Sequence, residues 1–265
     1  MITVQIASKT RETADICLLE LSRPEGGALP AFSAGAHIDL HLPGGVIRQY
    51  SLCNSPAESH RYQIAVLRDP DSRAGSAAIH HQLKEGDEVN ISEPHNLFPL
   101  EHEANKHLLI AGGIGITPIL CMAERLHHLN KVFDLHYCTR TPEETAFRQR
   151  IQDSGFDDKV HFHHSRHNNG KRMDADAFLT TADTGTHLYV CGPNQFMKRV
   201  METARKHDWP ELHLHREYFA AEEISHEGDT AFEVLIASSG AVIEIPADRT
   251  ALEVLLEHDI DLPFA

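Results

Sequence analysis

The chain of 265 residues predicts an antiparallel β barrel, a parallel-sheet α/β unit and a short hairpin-and-helix segment, in that order. Three observations carry this. Up to about residue 98, short runs of alternating apolar and polar residues recur between turns rich in Pro, Gly, Asp and Ser, the pattern of a small barrel or sandwich. From Ala104 to Ala221 apolar strand-like runs alternate with helical ones, which implies parallel strands with helices on both faces. After Asp229 there is room for one hairpin and one helix, a poor independent core. The expected divisions are 1–100, 101–222 and 223–265.

Composition sets limits. Hydrophobic residues make up 41% and charged residues 24%, and no apolar run approaches the roughly 18 to 20 residues that span a bilayer. The opening MITVQIASKT reads as a strand rather than a signal peptide, so a cytoplasmic setting is expected. A formal charge of -15 argues against nucleic acid and against anionic membranes, whose phosphates would be repelled. The five cysteines, Cys17, Cys53, Cys121, Cys138 and Cys191, are scattered with no C-x-x-C pair, which suggests reduced thiols rather than disulfides or a metal site.

In the first region ITVQIAS, ADICLLELS, AHIDLHL, VIRQYSL, RYQIAVL and EVNIS read as strands, with a helix over Ser76–Leu83. The boundary falls near EPHNLFPLEHEANK. Strand HLLIA then leads through Gly112, Gly113 and Gly115 to a helix opening at Thr117-Pro118, with Thr as N-cap and Pro at the first helical position. Glycines let backbone approach a ligand closely, and free N–H groups at a helix start suit a pyrophosphate. The spacing departs from G-x-G-x-x-G, so a plain tight connection stays open. Strand VFDLHYC leads to helix EETAFRQRIQ. Strand KVHFHH leads to a short segment at Ala177-Phe178-Leu179, strand THLYVC to helix NQFMKRVMETARKH, and ELHLHREY closes the unit. Glu222 to Asp229 reads as an acidic linker, followed by strands AFEVLIAS and AVIEIP about a Ser239-Gly240 turn and a helix capped by Thr250.

Candidate chemistry clusters in few places. Alternation puts Arg48, Tyr50 and Leu52 on one face of a strand and Gln49 and Ser51 on the other. A guanidinium suits phosphate and an aromatic ring suits a planar cofactor, against the plainer reading of a surface Arg beside a strand Tyr. Arg73-Ala74-Gly75-Ser76 offers a second anion site before a helix. Cys191-Gly192-Pro193 ends a strand and opens a helix with Pro193 first, its thiol either facing the Gly112 cleft or filling a core position. Arg140, Glu143 and Glu144 could meet an adenosine, or be a solvated charge and a helix-start acidic pair. His161 and His163 share a strand face, as do His213 and His215. Two such residues make an incomplete metal site, so none is assigned.

Read together, RQYSLCN, AVLRD, RAGS, LLIAGGIGITPIL, HYCTRTPEETAF, YVCGPNQFM and HREYF closely resemble one family over nearly the whole chain. These are the oxygenase reductases typified by phthalate dioxygenase reductase and the reductase components of vanillate O-demethylase and carnitine monooxygenase. The resemblance implies a flavin-binding barrel, a parallel-sheet NAD-binding domain of ferredoxin-reductase type, and a partial β-grasp ferredoxin-like segment. It implies that Arg48, Gly75 and Ser76 hold an FMN phosphate, that Tyr50 and Ser51 flank the ring, and that Val66, Leu67 and Arg68 line the ribityl side. Thr117 would touch the flavin from the second domain. Gly113, Gly115 and Pro118 would shape the dinucleotide site, with Thr139 and Arg140 near the adenosine. Cys191, Gly192, Pro193 and Met197 would lie near the nicotinamide, and Tyr218 and Phe219 would cover the flavin face.

The family's direct RAGS phosphate site implies FMN rather than FAD. The acidic pair after Arg140, with no added basic cluster, points to NADH and leaves NADPH possible. The implied activity is an NAD(P)H-dependent flavoprotein oxidoreductase, with Ser51, Cys191 and Glu217 at the hydride-transfer centre. It would pass single electrons to a [2Fe–2S] cluster and on to an oxygenase component. One departure stands out. The family's cluster loop supplies C-x4-C-x2-C and a fourth Cys, and no Cys follows Cys191 here, so the sequence reads as a truncated or incomplete stretch of a three-domain protein in which only a longer chain carries the cluster. Two alternatives stay open: a stand-alone flavin reductase of ferredoxin-reductase type using FAD or FMN, and a non-catalytic His-rich nucleotide- or metal-binding module.

Overall fold

The computed structural model describes residues 1–69, 75–166, 172–180, 185–219, 229–258 and 260. Arg73, Ala74, residues 222–228 of the expected linker and residues 261–265 lie outside them. The chain forms two compact units, Met1–Phe219 and Ala220–Ala265.

The first unit opens with strands β1 (Ile2–Arg11), β2 (Ile16–Ser22), β3 (His37–Leu42), β4 (Val46–Ser51) and β5 (Tyr62–Leu67). Helix α1 (Gly75–His81) and strand β6 (Glu88–Ile91) follow. The helix starts one residue before and stops two residues short of the expected Ser76–Leu83. These strands make one antiparallel sheet in the order β4-β3-β6-β1-β2-β5, and a bridge between Leu52 and Ile64 joins its two ends into a near-closed barrel. Alternation sends Val4, Ile6, Leu19, Leu21, Ile38, Leu40, Tyr62, Ile64, Val66 and Ile91 into a fully buried interior.

The α/β part adds β7 (Lys106–Gly112), α2 (Ile116–His128), β8 (Phe133–Thr139), α3 (Arg148–Gln152) and β9 (Val160–His164). It continues through α4 (Asp176–Leu179), β10 (Thr186–Cys191), α5 (Asn194–Lys206) and β11 (Leu214–Glu217). Its five strands run parallel in the order β11-β10-β7-β8-β9. Leu109, Ala111, Leu135, Tyr137, Tyr189 and Cys191 face α2, and Leu108, Ile110, Leu188 and Val190 face α5. The core under α2 is continuous with Ile16, Ala34, Cys53 and Ala65 of the barrel, so one apolar seam joins both sheets.

Three expected elements differ. A 3-10 turn over Gly113–Gly115 precedes α2, which therefore starts at Ile116. Thr117 is inside the helix, and its hydroxyl donates to the Ile114 carbonyl (3.1 Å) instead of capping. Pro118 still lies in the first turn, where a missing N–H costs nothing. Pro193 flanks α5 rather than starting it, its carbonyl accepting from the Phe196 and Met197 N–H groups. The EETAFRQRIQ helix is cut short because Thr145 is extended and Phe147 is left-handed at φ 59, leaving a 3-10 turn over Pro142–Glu144 and the short α3.

The second unit pairs β12 (Phe232–Leu235) with β13 (Val242–Ile245) about a turn in which Gly240 has φ 73. Helix α6 (Ala251–Glu257) starts with a capping box in which Thr250 and Glu253 satisfy each other's backbone N–H groups. Ile243, Ile245, Val254 and Leu255 form its small core.

Candidate active site at the barrel–sheet seam

In a sheet of this order the first strand, β7, has β8 on one side and β10 on the other. Connections leaving β7 and β10 therefore diverge and open a crevice at their carboxyl ends. Both glycine turns lie there. A Cβ on Gly115 would stand 2.3 Å from the Cys191 carbonyl oxygen, and one on Gly192 would stand 2.9 Å from the Gly112 Cα. Only glycines let these two backbones interlock. Gly113 has φ 55 and open space where a Cβ would point, so the turn presents bare backbone to the crevice.

The barrel closes this crevice from the side. Ser51, at the end of β4 and 5% exposed, donates its hydroxyl to Glu217 Oε2 at 3.2 Å. Glu217 ends β11 and pairs in register with Cys191. Burial raises the Glu217 carboxyl to about 7, opposed in part by the Ser51 hydrogen bond. Burial also pushes the Cys191 thiol well above its ordinary value, so it is a neutral group rather than a thiolate. Ser51 and Glu217 thus meet although 166 positions separate them, while Cys191, in register with Glu217, is fully buried in the core under α2.

A second cradle lies on the barrel. Arg48 is exposed and runs across Gly75, where a Cβ would meet its Nε at 2.6 Å. Ser76 is buried and its hydroxyl accepts from the Asp69 N–H at 3.1 Å. Arg48 therefore lies against the start of α1, which carries Gly75 and Ser76. Tyr50 is half-buried against the barrel core, which pushes its hydroxyl up to about 12 and leaves an aromatic surface that stays neutral. Tyr218 and Phe219 stand 40% and 46% exposed just beyond Glu217, Tyr218 under the Arg216 guanidinium at 5.0 Å.

The remaining expected residues lie on or just after β5, on α5 and at the carboxyl end of β8. Val66 points into the barrel core and its carbonyl is taken by His80 Nε2 (3.0 Å), while Leu67 is exposed and Arg68 pairs with Asp15. Met197 is buried among Leu188, Val190 and Val200 under α5, so its side chain is core rather than crevice. Thr139 bonds to Thr145 (2.8 Å) and His164 (2.9 Å) at the end of β8, with Arg140 exposed beside it. Sequence reasoning missed Arg150. From α3 it donates to the Cys53 carbonyl and Gln63 of the barrel (3.0 Å each) and to Glu124 of α2 (2.8 Å), bracing the seam. Nothing in its local sequence distinguishes it from a surface Arg.

Residues 92–214 match the family model described as Dimethylamine monooxygenase subunit DmmA-like, N-terminal domain. The chain is 48% identical to vanillate O-demethylase oxidoreductase of Pseudomonas putida, across 98% of this chain and 82% of that protein. It is 39% identical to phthalate dioxygenase reductase of Burkholderia cepacia, across 98% and 80%. The chain belongs to this family of oxygenase reductase components. It is an oxidoreductase. A solved phthalate dioxygenase reductase, described as modular for electron transfer from pyridine nucleotides to [2Fe–2S], superposes with a TM-score of 0.81 at 39% identity, covering 99% of this chain and 82% of that one. The flavohaem-like FAD/NAD-binding domain of a Vibrio cholerae nitric oxide dioxygenase shares the fold, with a TM-score of 0.71 over 82% of this chain. Among the described residues no helix is long and apolar enough to cross a membrane.

Proposed function

We propose that this oxidoreductase takes hydride from NADH at the glycine crevice onto an FMN held by the barrel, and serves an oxygenase component by way of a [2Fe–2S] cluster for which this sequence, with no Cys after Cys191, supplies no ligand set. On this reading 1–100 holds the flavin, 101–222 the nucleotide and 223–265 belongs to the electron-exit module, all in the cytoplasm. The observation that carries it is the Ser51–Glu217 hydrogen bond, which brings the last barrel strand residue before Leu52 against the carboxyl edge of the parallel sheet.

The residues present fit both groups. Glycine at 75 leaves the Arg48 guanidinium lying across the start of α1, a cradle that a Cβ would fill. Interlocked Gly112, Gly115 and Gly192 leave backbone bare at the switch point. A bound flavin supplies two-electron acceptance and one-electron release, which a pyridine nucleotide alone does not provide. Arg48 and Ser76 neutralise and hold the phosphate. Tyr50 offers an aromatic face to the ring, and Ser51 orients its hydroxyl along the seam. Glu217, titrating near neutrality, holds or releases a proton at its carboxyl beside the transfer site. Cys191, neutral and buried, limits water at the sheet edge. Tyr218 and Phe219 provide the exposed aromatic surface that a nicotinamide must displace.

The test is to purify the chain, release its cofactor, weigh it, and add NADH or NADPH while recording the visible spectrum. FMN that bleaches faster with NADH supports the proposal. FAD would favour the stand-alone flavin reductase, and no flavin, with no bleaching after reconstitution, would reject both.

A further inference from the structure

With seven residues, α1 is too short to stand alone in water, so whatever holds it decides where Gly75 and Ser76 stand. Ile79 and, just past the helix, Leu83 sink into the barrel core. The last carbonyls of a helix have no donors within it. Lys9 of β1 supplies them. Its ammonium donates to the carbonyls of Ile79, His80 and Leu83, each at 2.8 Å, which uses all three of its hydrogens. A positive charge at this end also suits the helix dipole. The same end is tied to β5, where His80 Nε2 donates to the Val66 carbonyl, and the Lys9 N–H donates to Glu85 Oε1 at 2.8 Å.

A shift in the ladder aims Lys9 at this task. Ile6 pairs with Leu21, but Ser8 pairs with Glu20 and Lys9 with Leu19. Partners in an antiparallel ladder share a face, and Leu19 and Leu21 are both fully buried in the barrel core. Ile6 and Lys9 therefore point the same way although three positions separate them, which strict alternation forbids. Such a bulge redirects a side chain. We propose that Lys9 is a positioning residue for the flavin phosphate, clamping the carboxyl end of α1 to β1 and so setting where Gly75 and Ser76 stand relative to Arg48.

This rests on the reading of Arg48 and Ser76 as the phosphate's ligands. Arg48 rides on β4 and Ser76 on α1, so a phosphate that needs both binds only while the helix is seated against the sheet. Apparent affinity falls in proportion to the fraction of molecules in that arrangement. The ring, placed by the same reading beside Tyr50 and Ser51 of β4, does not depend on α1. Loss of the Lys9 clamp should therefore weaken a phosphorylated flavin and spare an unphosphorylated one.

The experiment is fluorescence titration of the flavin-free chain with FMN and, separately, with riboflavin, in the parent and in K9M. The parent should prefer FMN. K9M should lose about tenfold in FMN affinity, the scale of one charge-assisted hydrogen bond, and keep its riboflavin affinity. That loss should persist in high salt, where the bare charge of Lys9 is screened. Coupling is reciprocal, so in the unmutated chain FMN, and not riboflavin, should slow solvent exchange of the Lys9 Nζ hydrogens followed by NMR, a readout that stands even if K9M does not fold. A parent that binds the two flavins alike would reject the phosphate reading, and this proposal with it. A parent that prefers FMN would overturn the proposal alone if K9M kept that preference, lost both ligands equally or recovered in salt, or if both flavins slowed the Lys9 hydrogens alike.

Discussion

Replacing Glu217 by Gln tests the electrostatics of the seam. An ordinary Glu titrates at 4.5, and burial takes this one to about 7. Between those values the native chain holds a proton that the unfolded chain has lost, so stability falls as pH rises. Linkage puts the loss between pH 5.5 and 8.5 at about 2 kcal/mol for this one group. Gln is isosteric with the protonated acid and cannot ionise. E217Q should therefore match the parent only below about pH 4, and its advantage should grow by about 2 kcal/mol between pH 5.5 and pH 8.5. Urea unfolding of both proteins at the two pH values measures the difference, in which other titrating groups cancel. The same variant should lose any inflection near pH 7 in the rate of NADH-driven acceptor reduction. If the stability curves stay parallel from pH 5.5 to 8.5, Glu217 is not protonated in the native chain and the assigned seam environment is wrong.

Three further outcomes are expected. Gly75→Ala should fold, since Ala is favoured over Gly in a helix by about 1 kcal/mol and the displaced Arg48 end is flexible, but its flavin-to-protein ratio should drop several-fold. Arg150→Met leaves Glu124 buried without its cation and should cost about 3 kcal/mol in urea unfolding. A loss below about 1 kcal/mol would mark the pair as an ordinary surface bridge. His136, lowered to about 4 by burial and by its histidine neighbours, makes the unfolded state bind more protons below pH 6.5. The parent should therefore lose about 2 kcal/mol from this residue between pH 7 and pH 5, and H136Q should show a correspondingly shallower decline in acid unfolding.

Much of this molecule is legible in its sequence because it rests on local periodicity and on turn chemistry. Alternation in runs such as HIDLHL and RYQIAVL marked the barrel strands, and βα alternation marked the parallel sheet. Thr250 announced the cap of α6. Glycine positions were visible too, but not what each one touches. Helix starts were less legible, since whether Thr117 caps or lies inside α2 depends on a 3-10 turn over Gly113–Gly115, where Gly115 packs against the Cys191 backbone. Val66 and Met197 share motifs with site residues, yet packing turns both into the core.

What the sequence alone determined, then, is the series of strands and helices and the residue types that could hold anions and aromatic rings, because those follow from each residue's neighbours along the chain. Only the tertiary structure decided that Ser51 reaches Glu217, that Arg48 lies on Gly75, that Arg150 braces barrel to sheet and that His187 bonds His215. Those contacts join segments remote in sequence, and strand order and register, set by burial of whole faces, are what bring them together.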